Sequence, residues 1–171
     1  MKTKIAAFAE MAVRYGATEA KIIKAETIVT AAWVRMKCQY GCAGYGSSLC
    51  CPPYTPDHNQ MKEVIGCYTR ALLIHGGGKF TVKNSPGKIV PRLERDIFLA
   101  GYYRAFGLGS TPCGVCDECN LEVCTHPEAA RPSMEACGID VYATARNNGY
   151  PIEVVTDHSC AVNRYGLILI D

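Results

Sequence analysis

Four cysteines fall within twelve residues as Cys113-Gly-Val-Cys116-Asp-Glu-Cys119-Asn-Leu-Glu-Val-Cys124. Three thiolates at two-residue intervals converge on one centre only if the backbone wraps tightly around it. Ferredoxin-type runs grip a four-iron cubane in this way, with a further cysteine a few residues on. Structural zinc sites more often use two separated cysteine pairs that close a tetrahedron around one ion. The spacing therefore favours an iron–sulfur cluster over zinc. Here the last gap is four residues, and threonine rather than proline follows Cys124.

A second constellation lies upstream: Cys38-Gln-Tyr-Gly-Cys42, then Cys50-Cys51-Pro52-Pro53. Gly41, Gly44 and Gly46 permit the close backbone approach that an enclosed cluster needs. Pro52 and Pro53 remove amide donors and stiffen the exit from the loop. The chain holds 11 cysteines in 171 residues, an odd count in a chain longer than a disulfide-stapled scaffold. Met1–Lys4 is basic, but the apolar stretch from Ile5 is cut by Glu10 and lacks a small-residue cleavage pattern, so a secretory leader is not expected. No run approaches transmembrane length. These features lead us to expect a cytoplasmic protein, with no membrane role, whose reduced thiols serve a metal.

Hydrophobic residues make up 49% of the chain and charged residues 20%, enough for one globular domain over residues 1–171 with cysteine-rich segments at 37–56 and 111–138. The formal net charge is +2. An oxidised four-iron cluster with four thiolates carries about −2, so two clusters would bring the molecule to roughly −2. Composition gives no support for nucleic-acid binding.

The elements that must position these thiols read as an alternation of helices and strands. Ile5, Phe8, Ala9 and Ala12 predict a helix over Lys4–Tyr15, stopped at Gly16. Ala20–Thr30 reads as a strand, Lys37–Pro56 as a loop, and His58–Tyr68 as a helix capped by Asp57. Ala71–Ile74 is a buried strand ending at Gly76. A helix is expected from Pro91 to Phe106, closed by Gly107. Pro132 opens a short helix interrupted at Gly138, a second runs from Ile139 to Asn147, and Ile152–Val155 and Leu167–Ile170 are strands. The pattern predicts an α/β fold, with α+β as the alternative: a small mixed sheet flanked by helices, carrying cysteine-rich metal-binding loops.

Several motifs together resemble a family of small, cysteine-rich predicted metal-binding proteins of bacteria and archaea. They are Arg35-Met-Lys-Cys38, Gly41-Cys42-Ala-Gly-Tyr45-Gly46, Cys51-Pro-Pro53, Phe98-Leu-Ala-Gly-Tyr-Tyr103, the Cys113–Cys119 triplet and Arg131-Pro-Ser-Met-Glu-Ala-Cys137-Gly-Ile-Asp140. The resemblance spans roughly Val34 to Asp171 and implies a metal-binding, iron–sulfur protein without naming a reaction.

The best ligand set is Cys38, Cys42, Cys51, Cys113, Cys116, Cys119, Cys124 and Cys137, eight thiols, as two [4Fe-4S] clusters require. One partition gives Cys113, Cys116, Cys119 and Cys124 to one cluster and the rest to the other; the alternative moves Cys124 to the upstream group. Cys50, Cys67 and Cys160 are left as bystanders, with Cys50 a substitute for Cys51. His126 reads as a surface or capping residue. Asp157-His158-Ser159-Cys160 is not expected to form a triad. Gly76-Gly-Gly-Lys79 fails as a phosphate loop because Phe80 replaces the hydroxyl residue. Tyr102, Tyr103 and Phe106 read as core. Arg92, Arg95, Arg104 and Arg131 read as a solvated face, with donation to cluster sulfurs or partner docking as the functional alternative.

Three functions are consistent with this. The first is electron transfer to a redox partner protein through two clusters. The second is a cluster enzyme, such as an oxidoreductase component, with one open iron for a small substrate. The third is a structural zinc module.

Overall fold

Arg70–Gly76 (β2) is a central strand of the sheet, with Ala71 to Ile74 buried. Glu19–Lys24 (β1) pairs with it antiparallel on one side, matching Ile22 to Leu72, and Arg164–Leu169 (β4) on the other, matching Leu73 to Leu167. The short strand Phe106–Leu108 (β3) closes the far edge against β4, giving an antiparallel sheet of order β1-β2-β4-β3. The computed structural model describes residues 5–77, 85–150, 152–157 and 159–171. The expected α/β architecture is present, with the helices in layers on both faces of the sheet.

Side chains alternate across the strands, so each face has its own apolar layer. Leu72, Ile74, Ile168 and Ile170 pack against Phe8 and Ala12 of Ala6–Arg14 (α1) and against Ile89, Val90, Leu93 and Ile97 of Pro86–Leu99 (α4). Ala71, Leu73, Leu167 and Leu169 pack the other way, onto Met61 and Ile65 of His58–Gly66 (α3) and Val141 and Ala145 of Val141–Asn147 (α5). Each such fully buried aliphatic side chain contributes about 1.5–3 kcal/mol. A Cβ added at Gly107 would lie 2.3 Å from Val90 Cγ1, so glycine there lets α4 lie directly on β3.

The boundaries differ from the sequence reading in several places. The β-branched run from Ala20 is a strand only to Lys24, then turns through a 3-10 segment at Ala25–Thr27. Ala32–Gly41 (α2) is helical where the cysteine- and glycine-rich composition suggested a loop from Lys37. α4 starts at Pro86, not Pro91, and ends at Leu99; Pro91 sits inside it, half-buried, while Ile89 and Val90 beside it are buried in the core. Pro132–Gly138 contains only a 3-10 turn, Glu135–Cys137, and Ile152–Val155 pairs with no strand. Asp57 does cap α3, in a capping box with Gln60. Gly78–Phe80 and His158 lie outside the described residues.

Candidate metal centre

Two elements and two loops deliver the cysteines. α2 carries Cys38 and ends at Cys42; the loop that follows brings Cys50 and Cys51; the segment leaving β3 holds Cys113 to Cys124; the 3-10 turn ends at Cys137. The turn is closed by Gly138, whose φ of 74° is left-handed and whose absent Cβ would lie 2.9 Å from His58 Cα.

Arg35 ties the upstream pieces together. Its Nη1 donates to Ala136 O at 2.8 Å and to Thr55 Oγ1 at 2.9 Å, with Thr55 O and Pro56 O at 3.4 and 3.2 Å. Thr55 Oγ1 also donates to Ala136 O. One guanidinium thus joins α2, the end of the 51–56 loop and the 3-10 turn, the three segments bearing Cys38, Cys42, Cys51 and Cys137.

These four thiols form one group. Burial pushes the Cys38 thiol up, with Cys42 and Glu135 adding to it and Arg35 opposing. Burial pushes Cys137 up to about 12, again against Arg35, with Cys38 and Glu135 nearby. Cys51 is raised by burial and then by Cys42 and Cys38. Cys38 Sγ lies 3.9 Å from Glu135 O, and Glu135 itself is raised by burial.

The second group is gathered around a small cavity. Cys113, Cys116, Cys119 and Cys124 line a space of about 20 Å³, and Cys50 lines it with them. Burial pushes Cys50 up to about 12, and its thiol is in hydrogen-bonding contact with Cys113 and close to Cys124 and Cys51. Sequence reasoning set Cys50 aside; its one signal was adjacency to Cys51. The consecutive residues Cys50 and Cys51 enter different groups, so the two groups are joined by a single peptide unit. Cys51 senses Cys113 and Cys119 as well. Asn120 shapes the run, its Oδ1 accepting from Glu122 N at 2.9 Å.

His126 lines the same cavity and stands 3.5 Å from Glu128, half-exposed. Cys67 caps α3 with its sulfur 3.5 Å from Glu63 O, and Cys160 contacts Thr156; none of these contacts involves another cysteine. Among the four arginines, Arg131 is bound to Glu94 through two hydrogen bonds of 2.6 and 2.7 Å and lies near Cys50 and Cys124. Arg104 covers the Tyr68 ring and Arg92 the Tyr15 ring. Tyr102 packs on the core, whereas Tyr103 is exposed and Phe106 half-exposed.

Nine thiols in two adjoining groups are a soft donor set, suited to zinc, copper(I) or iron–sulfur chemistry. Among the described residues, no three His, Cys, Asp or Glu side chains converge on one point as a ready single-ion site. Cys50, Cys113, Cys116, Cys119 and Cys124 instead line one small cavity. The family described as predicted metal-binding protein, domain of unknown function 2284, matches residues 21–170. The chain belongs to this family. The match takes in every cysteine of the chain. No curated protein and no solved structure matches the chain. No helix among the described residues is long and apolar enough to cross a membrane.

Proposed function

We propose that this member of the predicted metal-binding family is an iron–sulfur protein that carries two [4Fe-4S] clusters and passes single electrons to a partner protein in a reducing cytoplasm. The observation that carries the reading is the division of the thiols into two adjoining groups, each with at least the four donors one cluster needs. Cys38, Cys42, Cys51 and Cys137 hold one cluster; Cys113, Cys116, Cys119 and Cys124 hold the other. The clusters supply one-electron chemistry, and the chain sets potential and access.

The protein's own residues have defined parts in this. Arg35 joins the three segments that bear the first group. Arg131, though paired with Glu94, places a guanidinium near Cys50 and Cys124, where positive charge favours a reduced cluster. Trp33, Met36 and Tyr40 recur on one face of α2 at 48%, 61% and 78% exposure, and Tyr54 at 48% lies beyond Cys51. This apolar surface beside the first group suits transient partner docking.

One observation favours a cluster enzyme as the second reading. Cys113 also lines a larger cavity on its other side, so an open iron at that corner would face a substrate space.

Serine variants test the assignment. Cys137→Ser and Cys116→Ser each remove one cluster and leave about four irons per chain. Chemical reduction of the intact protein then produces a paramagnetic signal from each remaining cluster. Loss of all metal from either variant, or clusters that resist reduction, contradicts the proposal.

A further inference from the structure

The first turn of α4 faces an open cavity of about 340 Å³ whose walls include Ser85, Gly87, Lys88, Arg92, Thr111 and Cys113. That volume lies in the range of roughly 300–1,000 Å³ typical of small-molecule pockets. The helix is 14 residues long and begins without a side-chain cap. Ser85, at the cap position, is only 6% exposed, yet its hydroxyl makes no hydrogen bond with any described residue.

The polar groups converge on one glycine. A Cβ on Gly87 would lie 3.0 Å from Thr111 Oγ1 and 3.6 Å from Ser85 Oγ, so both hydroxyls border the space that glycine leaves open. The Gly87 amide, in the first turn, has no helical acceptor. Lys88 and Arg92 stand one turn apart at the same mouth, and both side chains are exposed. Arg92 is held over the Tyr15 ring with 3.8 Å between its guanidinium carbon and the ring centre. Arg131 reaches the wall already neutralised by Glu94. No carboxylate side chain lines the cavity among the described residues. A helix start with the free Gly87 amide, two cations and two hydroxyls without a partner among the described residues is chemistry that recognises a phosphate group.

We infer that this cavity binds a small phosphorylated organic molecule. Its phosphate sits over Gly87 between Ser85, Thr111, Lys88 and Arg92, and its organic part extends toward Cys113. Because Cys113 and Val115 line both this cavity and the thiol-lined one, the ligand lies against the wall of the second metal group. Only that adjacency to a metal rests on the reading above; phosphate binding does not.

Isothermal titration calorimetry on the purified, metal-loaded protein tests it, at constant ionic strength, with glycerol 3-phosphate, inorganic phosphate and acetate as probes. Saturable binding is expected, strongest for the organic phosphate and weakest for acetate. Lys88→Ala and Ser85→Ala should each weaken glycerol 3-phosphate by about tenfold or more, as expected for losing a hydrogen bond to a charged group. Thr111→Val gives a second variant that leaves the helix start intact and should weaken it too. No saturable phosphate binding overturns the inference, as does acetate binding as tightly as the phosphates. Equal affinity in the wild type and all three variants overturns it as well. A zinc-loaded protein that still binds glycerol 3-phosphate would refute the cluster reading and leave this site standing.

Discussion

Glu94→Gln probes a buried charge. Glu94 and Arg131 have side chains only 10% and 17% exposed, so solvent screens their interaction little. The carboxylate accepts from Arg131 Nε at 2.6 Å and Nη2 at 2.7 Å, and from Gly107 N at 2.9 Å. Arg131 also donates to Pro127 O and Ala130 O, so the pair fastens the segment after the cysteine run onto α4. The amide of glutamine keeps one acceptor oxygen but presents an NH2 to the guanidinium and leaves its charge unbalanced. Breaking a buried pair costs about 3–5 kcal/mol; with one acceptor kept, about 3 kcal/mol is expected. For a chain of this size, each kcal/mol moves Tm by roughly 2–4 °C, so the melt should fall by about 6–12 °C. The assay is thermal unfolding by circular dichroism, comparing wild type and variant at equal metal occupancy, because bound metal raises Tm by itself. A fall of less than about 2 °C would show that the pair does not hold this segment, and the reasoning from burial would be wrong.

Arg35→Met should cost about 3 kcal/mol, two charge-assisted bonds being lost, and should halve the metal content by releasing the first group; Arg35→Lys keeps the charge but not the fork, and should fall between, as read by metal analysis. Gly138→Ala forces a left-handed φ of 74° on alanine and drives Cβ to 2.9 Å from the His58 backbone; a loss of roughly 2–4 kcal/mol in urea unfolding is expected, together with metal loss from the Cys137 group. Burial pushes the Asp171 carboxyl up, but hydrogen bonds from Thr69 and Arg70 outweigh it and hold it down from 3.8 to about 2. A depressed carboxylate stabilises the fold above its unfolded value, so this contribution is present above pH 4 and disappears as pH falls towards 2; Asp171→Asn should flatten the acid limb of stability over that window, and an unchanged acid limb would contradict the assignment.

What could be read without the structure followed local periodicity. β2 and β4 are apolar runs bounded by turn residues, and α1 and α3 carry clear helical stripes with a stop at Gly16 and a cap at Asp57. α2 escaped because only Val34 is buried on it, and Cys38, Gly41 and Cys42 look like loop residues. Pro91 misplaced the start of α4 because proline is favoured in a helix's first turn, whereas here it lies inside the helix. The ligand candidates were legible from spacing within each run, but not how they divide, since that depends on a 3-10 turn carrying Cys137 back to α2. Cys50 shows why: neighbouring residues can point into different spaces, and only the loop conformation decides. The Arg131–Glu94 pair spans 37 residues of sequence and left no local trace. The same is true of Ser85 and Thr111, which meet over Gly87 only when β3 and α4 pack.

The central claim is that the two thiol groups each hold an iron–sulfur cluster. Its most direct test is anaerobic purification, with iron, acid-labile sulfide and zinc counted per chain and spectra taken before and after reduction. The account predicts about eight irons and eight sulfides in reducible clusters. Zinc without sulfide would contradict it and leave a structural or hydrolytic metal protein.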